Sequence, residues 1–231
     1  MIKAILWDVD GTLIDFKAAE SAAIKSLFKE YNLKECTDEM VKRYSRINDF
    51  FWKRLERGEI SKPQVLLKRF EQFFSEYDID KNIAPEFNER YQLRLGDTII
   101  FKDDGYNIVK SLVGRIKQYA VSNGTVKAQT KKLEASGLNK LFDGIFLSEQ
   151  VGAEKPSKLF FDKVFSSISP IKISDAIIVG DSLSSDIKGG NDYGIKTCWY
   201  NPDFQSSDGK YMIDHEINDL HEIYGVLGVE P

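Results

Sequence analysis

The stretch WDVDGTL, from Trp7 to Leu13, decides how this chain folds. It ends a nearly continuous apolar run that begins at Ile2, and such a run predicts a strand buried on both faces. Because residues two apart in a strand point to the same side, Asp8 and Asp10 can converge on one point if the chain stays extended. Gly11 then allows a sharp turn and leaves room for a ligand to come close. Two carboxylates at one strand end repel each other, so the stretch predicts a site for a hard cation such as Mg²⁺.

The same residues have a simpler interpretation as a turn, because Asp and Gly are favoured in turns for local reasons. A functional DxDGT motif requires an apolar strand directly before it, and this sequence has one. The run DVDGTLID, Asp8–Asp15, resembles the first motif of the haloacid dehalogenase-like hydrolases. That superfamily consists mostly of magnesium-dependent phosphatases, so the resemblance implies a Mg²⁺ cofactor and a small phosphorylated metabolite as substrate.

The composition is that of an ordinary soluble globular protein, with 231 residues, of which 42% are hydrophobic and 29% charged. The net charge of −4 argues against a nucleic-acid partner or an anionic membrane surface. Cys36 and Cys198 have no metal-ligand spacing, which predicts reduced thiols in a cytoplasmic protein, with a single disulfide as the alternative. No apolar run approaches the roughly 20 residues of a membrane span, and the first residues lack a signal-peptide pattern. His215 and His221 have no partner motif, and we expect them at surface helix positions.

Residues 16–95 show helical periodicity and almost no strand-like stretch. Apolar residues recur there at spacings of three and four, and Ser61 begins a capping-box sequence with proline in the first turn. The pattern predicts four helices, which begin near Phe16, Thr37, Ser61 and Pro85. We interpret this block as an all-helical cap domain, which is expected to act as a lid because it is inserted directly after the first motif.

Strands and helices alternate from Ile99 onward, which predicts a doubly wound, Rossmann-like parallel sheet with ligands at the carboxyl ends of its strands. Residues 1–15 and 96–231 together form the predicted α/β catalytic core. Gly137 stands where the C-terminal cap of a helix is expected. The predicted strands after the first are 116–121, 145–147, 176–180 and 195–200, and the predicted helices are 105–113, 126–135, 158–168 and 217–227.

Polar groups suited to phosphate chemistry stand at the ends or edges of these elements. Ser122 and Asn123 end the second core strand before a helix start, where a hydroxyl and backbone N–H groups can form an anion cradle. A simple Ser-Asn-Gly turn is the alternative there. Lys155 precedes a proline that fixes where its side chain emerges, although a lone lysine in a loop is usually solvated. Asp181 ends an apolar strand without a structural reason, whereas Asp186, in the first turn of the next helix, also suits the helix dipole.

The order DxD, serine, lysine and GDxxxxD resembles the four motifs of the haloacid dehalogenase-like hydrolases across the whole predicted core. The helical block resembles the C1-type cap of that family. By this resemblance Asp8 is the nucleophile that becomes an aspartyl phosphate, and Asp10 is first the general acid and later the base. The resemblance also implies that the transferring phosphoryl oxygens are held by Ser122, Asn123 and Lys155.

The same resemblance implies how a metal is bound. By this resemblance Mg²⁺ would be held by the Asp8 carboxylate, the Asp10 backbone carbonyl and Asp181, while Asp186 would bond the metal's waters or Lys155. Phosphoryl transfer gains mostly from positioning and charge neutralisation. A site with so many carboxylates therefore needs both the cation and Lys155 before a phosphate dianion can enter.

Several functions compete within the family. A dehalogenase is disfavoured because those members generally lack the second aspartate of the first motif, and Asp10 is present here. A non-enzymatic descendant is disfavoured because no catalytic carboxylate is missing. A phosphomutase similar to β-phosphoglucomutase keeps Asp10 and stays an alternative, as does a phosphatase for a sugar phosphate or phosphoglycolate. The prediction is a phosphatase.

Two further segments, Phe51–Ile60 in the cap and Gly194–Pro202 after the fourth motif, resemble the pyrimidine 5′-nucleotidase subgroup. Members of that subgroup remove the phosphate of pyrimidine nucleoside monophosphates, which makes such a nucleotide the predicted substrate and Trp52 a predicted substrate-binding residue. The alternative for the aromatic cluster Phe50–Trp52 is packing inside the cap, since adjacent aromatic residues cannot all face one pocket. We expect a monomer or a weak homodimer.

Overall fold

A computed structural model of the chain describes residues 2–207 and 209–231, which divide into two units. The core unit contains the residues up to Asp15 together with Ile100–Pro231, and the helical unit contains Phe16–Ile99. The sequence placed this division after residue 95, whereas the structure groups residues 96–99 with the helices. Within the described ranges, no helix combines the length and the apolar composition that crossing a membrane requires.

A parallel six-stranded sheet organises the core unit. Its strands are β1 (Ala4–Trp7), β2 (Lys117–Ser122), β3 (Gly144–Leu147), β4 (Ala176–Gly180), β5 (Lys196–Tyr200) and β6 (His215–Ile217). They lie in the order β3-β2-β1-β4-β5-β6, and each neighbouring pair is parallel. Every residue of the central strands β1 and β4 is buried, which explains their apolar sequences. The predicted α/β class is confirmed. The chain changes direction across the sheet between β1 and β4, where ligands of such sheets bind.

Four α-helices form most of the helical unit, as predicted. They are α1 (Phe16–Glu30), α2 (Asp38–Glu56), α3 (Lys62–Glu76) and α4 (Ala84–Arg94). Thr37 caps α2 by accepting the Met40 backbone N–H at 3.3 Å, and Ser61 begins the predicted capping box of α3. On α2 the side chain of Phe51 is buried while that of Phe50 is exposed, which confirms that neighbouring aromatic residues face different ways.

A buried polar network crosses the interior of the helical unit. Asn48 donates to the Glu20 carboxylate at 3.1 Å and accepts from the Arg69 guanidinium at 2.7 Å. Arg69 also donates to Asn88 at 2.9 Å, and its guanidinium lies 5.0 Å from the ring centroid of Tyr91. Burial is the main reason why the pKa of Glu20 is raised from its ordinary value to about 7. A carboxylate that is costly to ionise therefore sits in the centre of the helices.

Replacement of the Glu20 carboxyl group by an amide should make the stability of the protein depend less on pH between mildly acidic and neutral conditions. The pKa of Glu20 is raised to about 7 in the folded protein. The free energy of unfolding of the wild type therefore falls as the pH rises from the ordinary pKa of a glutamate to about 7. We expect the free energy of unfolding of Glu20→Gln, relative to wild type, to increase by about 3 kcal/mol from about pH 4 to about pH 8. Urea unfolding at both pH values measures this difference. The exposed Glu35→Gln should show no such change, and a pH-independent difference for Glu20→Gln would contradict the expectation.

Six further α-helices belong to the core unit within the described residues. They are α5 (Gly105–Ser111), α6 (Val126–Ser136), α7 (Ser148–Val151), α8 (Lys158–Ser167), α9 (Lys188–Tyr193) and α10 (Ile223–Leu227). Thr125 caps α6 by accepting the Ala128 backbone N–H at 3.2 Å. Gly137 ends it with a positive φ of 75°, which confirms the predicted helix end.

The predicted closing helix at 217–227 was wrong in its first half. His215–Ile217 forms the edge strand β6, which pairs with β5, so His215 is not at a helix position. Asp219 then accepts the His221 backbone N–H at 2.8 Å and begins a 3₁₀ turn, Leu220–Glu222, before α10. A three-residue edge strand has almost no periodicity of its own. Its pairing with β5 decides its conformation, and sequence pattern does not report that pairing.

Candidate active site

Groups suited to phosphate chemistry meet at the carboxyl ends of β1, β2 and β4. Asp8 directly follows β1, Ser122 is the last residue of β2, and Asp181 directly follows β4. Lys155 comes from the loop between α7 and α8, and Asp186 from a π-helical turn that continues into α9. Parallel strands end at the same edge of a sheet, so residues far apart in sequence converge beside the switch point.

The Lys155 ammonium is fully buried and connects two of the carboxylates. Its Nζ lies 2.8 Å from Asp8 Oδ1 and 2.6 Å from Asp186 Oδ1, and it donates to the Val121 carbonyl at 2.7 Å. Burial opposes the charge of this side chain, but Asp186 and Asp8 outweigh that effect and raise the pKa of Lys155. Lys155 is therefore a fixed positive charge beside Asp8, and its three partners exclude the interpretation as a solvated loop lysine.

Three carboxylates form a compact acidic cluster. One oxygen from each of Asp8, Asp181 and Asp186 lies within 4.8 Å of the others. Burial, opposed by Lys155, raises the pKa of Asp8 to about 7. Although part of the Asp181 side chain is exposed, desolvation of its carboxylate and the charges of Asp8 and Asp186 raise its pKa well above the ordinary value. Crowded carboxylate oxygens of this kind are the donor set that a hard divalent cation prefers, so the residues fit such an ion.

Thr12 contacts two carboxylates of the acidic cluster, and two glycines leave the space that its carboxylates occupy. The Thr12 hydroxyl lies 3.2 Å from Asp8 Oδ2 and 3.3 Å from Asp181 Oδ1, and it accepts the Asp181 backbone N–H at 3.0 Å. Gly11 has a φ of 95°, and a Cβ there would lie 2.6 Å from an Asp181 carboxylate oxygen. A Cβ on Gly180 would lie 2.2 Å from an Asp186 carboxylate oxygen. Both positions need glycine because carboxylates occupy the space of a side chain.

Ser122 and Asn123 have different roles in the geometry. The Ser122 side chain is buried, and its Oγ accepts the Gly124 backbone N–H at 3.0 Å. The Asn123 side-chain amide pairs with the backbone of Lys155 in both directions, each at 2.8 Å. The Asn123 side chain therefore fixes the backbone of Lys155 beside the end of β2.

The Asp10 carboxylate is not part of the acidic cluster and contacts side chains of α6 instead. Gln129 Nε2 donates to Asp10 Oδ2 at 2.5 Å, and Lys132 Nζ forms an ion pair with Asp10 Oδ1. Asp10 and Asp8 are thus close in sequence but have different partners. The resemblance assigned the metal-binding role of Asp10 to its backbone carbonyl, which these side-chain contacts do not involve.

Comparison with known proteins decides the family. The profile of the haloacid dehalogenase-like hydrolases matches residues 5–200. The chain belongs to the haloacid dehalogenase-like hydrolases. It is 35% identical over 228 residues to the HAD-hydrolase YfnB of Bacillus subtilis, covering 99% of this chain and 96% of that protein. It is 33% identical over 226 residues to the pyrimidine 5′-nucleotidase PynA of Streptococcus pneumoniae, covering 97% and 94% of the two chains.

A crystal structure of YfnB bound to magnesium resembles the fold of this haloacid dehalogenase-like hydrolase. It superposes with a TM-score of 0.91 at 34% sequence identity and covers 99% of each chain. The family and the fold agree with the arrangement at the strand ends, where the four predicted signals lie together in the core unit.

Trp52 lies apart from these signals in sequence and belongs to the helical unit of this haloacid dehalogenase-like hydrolase. Its indole is partly exposed on α2, and Nε1 donates to Asn48 Oδ1 at 3.1 Å. Arg69 donates to the same oxygen, so the buried polar network fixes the orientation of the Trp52 ring. The interpretation of the aromatic cluster as pure cap core holds for Phe51, which is buried, and not for Phe50, which is exposed.

Sequence reasoning missed four contributors to the site. Thr12 stood inside the DxDGT motif, and its position there was a usable signal. Trp199 falls within the predicted strand 195–200, and its Nε1 donates to the Asp181 carbonyl at 3.0 Å. Gln129 and Lys132 lie in the interior of α6 and have no local signal, because their partner Asp10 is 119 and 122 residues away.

Proposed function

We propose that this protein is a magnesium-dependent phosphomonoester hydrolase that acts through an aspartyl phosphate on Asp8. The observation that supports this most strongly is the environment of Asp8. Its carboxylate stands at a strand end, paired with the buried Lys155 and clustered with Asp181 and Asp186. An oxygen nucleophile beside a fixed positive charge and a hard-cation site suits attack on a phosphorus atom.

The reaction divides into two displacements at phosphorus. An Asp8 oxygen attacks the phosphorus, the bond to the ester oxygen breaks, and the departing oxygen takes the proton of Asp10, which enters this step as the neutral carboxylic acid. Water then attacks the phosphorus of the aspartyl phosphate and gives a proton to Asp10, which releases inorganic phosphate and restores the Asp8 carboxylate. Asp10 therefore acts as an acid in the first step and as a base in the second.

A positive charge and N–H and O–H donors would bind the phosphoryl group. Lys155 supplies the charge, and Ser122 with the Asn123 backbone supplies donors at the end of β2. Asp8, Asp181 and the Asp10 carbonyl would hold Mg²⁺, with Asp186 beside them. When bound, the cation neutralises the carboxylates and the charge of the phosphoryl oxygens.

We further propose that the substrate is a pyrimidine nucleoside 5′-monophosphate. The relative PynA supports this, because it is a pyrimidine 5′-nucleotidase and matches 97% of this chain. The partly exposed indole of Trp52, held by Asn48, offers a flat face with a fixed orientation to a base. Stacking of a base on an aromatic side chain is worth roughly 1–3 kcal/mol in nucleic-acid proteins.

A substrate screen tests the nucleotide assignment. We expect dUMP, UMP or dTMP to have a higher kcat/KM than glucose 6-phosphate or phosphoglycolate by roughly tenfold or more, because only the nucleotides offer a base for stacking. Purine monophosphates should be poorer, since a site sized for one ring penalises two. If a hexose phosphate is preferred over every pyrimidine monophosphate, the nucleotidase assignment fails and a more general phosphatase remains.

The role of Trp52 has its own test. Trp52→Ala should raise KM for dUMP by roughly tenfold and leave p-nitrophenyl phosphate hydrolysis nearly unchanged, because the proposed contact is with the base, which p-nitrophenyl phosphate lacks. Phe50→Ala is the matched control, since it removes an exposed aromatic ring from the same helix. Equal losses on both substrates for Trp52→Ala would show that Trp52 only stabilises the helical unit.

A further inference from the structure

Helix α6 directs two buried side chains at the same carboxylate. Gln129 and Lys132 are three residues apart, so they lie on one face of the helix, and neither side chain is exposed. Lys132 Nζ pairs with Asp10 Oδ1, and Gln129 Nε2 donates to Asp10 Oδ2. Each oxygen of the Asp10 carboxylate therefore has its own donor from α6.

The contact between Gln129 and Asp10 depends on the absence of a side chain at residue 124. A Cβ on Gly124 would lie 2.3 Å from Gln129 Nε2. The other end of the Gln129 amide, Oε1, is buried and has no hydrogen-bond partner among the described residues. Burying an amide with one atom unsatisfied costs free energy. The bond to Asp10 is the side-chain hydrogen bond that offsets part of this cost.

The same two donors account for the position of the Asp10 carboxylate outside the acidic cluster. Asp8, Asp181 and Asp186 form the acidic cluster, while the Asp10 carboxylate faces α6 and keeps 23% of its side-chain surface exposed. A proton donor for a leaving group has to be held at a defined place and angle, since small misplacements reduce catalysis strongly. A short aspartate side chain can rotate about two bonds, and two donors on a rigid helix remove that freedom.

We propose that Lys132 and Gln129 are positioning residues, which hold the Asp10 carboxyl group where, once protonated, it can give its proton to the leaving group. This rests on the proposed function of Asp10 as general acid and base. Neither side chain has a role in the phosphoryl transfer itself, and both act through Asp10.

Leaving-group dependence separates this role from a structural one. p-Nitrophenolate departs without protonation, whereas phenolate needs a proton donor, and kcat/KM reports the steps up to the aspartyl phosphate. We expect Lys132→Met to lower kcat/KM for phenyl phosphate by about 10- to 100-fold and for p-nitrophenyl phosphate by no more than about 3-fold. Lys132→Arg, which keeps a cation on α6, should recover most of the phenyl phosphate activity.

Two more variants complete the experiment. Gln129→Leu should show the same difference between the substrates at a smaller size, and it decides the matter if Lys132→Met does not fold. Lys127→Ala, an exposed lysine of the same helix, should behave like wild type. Equal losses on both substrates would overturn the proposal. So would unchanged phenyl phosphate hydrolysis in Lys132→Met and Gln129→Leu. A wild-type protein that hydrolyses neither ester would instead overturn the proposed function.

Discussion

Asp8→Asn should abolish phosphate release, with a loss in kcat of roughly 10⁴-fold or more, as expected when a nucleophile is removed. The amide has nearly the same shape, but its oxygen is too weak a nucleophile to attack phosphorus. The amide oxygen can still accept from the Lys155 ammonium, and the amide NH2 can donate to the Thr12 hydroxyl oxygen, so the fold should persist. Steady-state release of inorganic phosphate from p-nitrophenyl phosphate measures the loss, and thermal unfolding checks that the variant is folded.

Two further variants test whether the loss in Asp8→Asn reflects a missing nucleophile. Asp192→Asn changes an exposed carboxylate of the core unit and should keep full activity. In Asp10→Asn the base for the second step is missing, so a phosphorylated protein should accumulate with p-nitrophenyl phosphate. Acid quenching and peptide mass spectrometry should find the phosphate on Asp8. Phosphate on Ser122 would make the serine the nucleophile and overturn the assignment.

Removal of divalent cations should reduce hydrolysis of p-nitrophenyl phosphate by roughly 1,000-fold, because a cation at such a site supplies several kcal/mol of charge stabilisation. Without it, the phosphate dianion meets the acidic cluster of Asp8, Asp181 and Asp186. Dialysis against EDTA followed by Mg²⁺, Mn²⁺ or Co²⁺ should restore the rate, while Ca²⁺ should not, since its larger and looser shell misplaces the nucleophile. Full activity in excess EDTA after dialysis would rule out the proposed mechanism.

Binding of the cation should also be visible without substrate. Because the pKa of Asp8 is raised to about 7 in the metal-free protein, this group makes the fold less stable as pH rises from its ordinary value through about 7. Mg²⁺ should therefore raise the Tm more at about pH 8 than at about pH 5, where a proton already neutralises Asp8. Asp181→Asn should weaken the effect of Mg²⁺. An equal shift at both pH values would contradict the assignment of these carboxylates to the metal.

Much of the core fold could be predicted because its signals are local. The apolar run before Asp8 marks a central strand that is buried on both faces, and the alternation after Ile99 marks the parallel sheet. Gly137 ended α6 where expected, since a left-handed helix cap strongly favours glycine. The edge strand β6 was missed because three residues carry no useful periodicity.

In the candidate site, too, the sequence identified the residues that border recognisable elements but not their contacts. Asp8, Lys155, Asp181 and Asp186 could be named from sequence because each ends or borders a recognisable element, and the order of those elements brings strand ends together. The sequence could not show that Lys155 is buried against two carboxylates, since a lysine in a loop is usually solvated.

Local sequence patterns were enough to name the chemical groups at the strand ends, because strand and turn patterns extend over only a few residues. Tertiary structure alone decided their partners. Thr12 reaches Asp181 across 169 residues, and Lys132 reaches Asp10 across 122. A hydrogen bond depends on distance and angle in space, and periodicity along the chain contains no information about either when the partners belong to different elements. The positions of the carboxylates along the chain are therefore local properties, and the partners that surround them are a property of the folded protein.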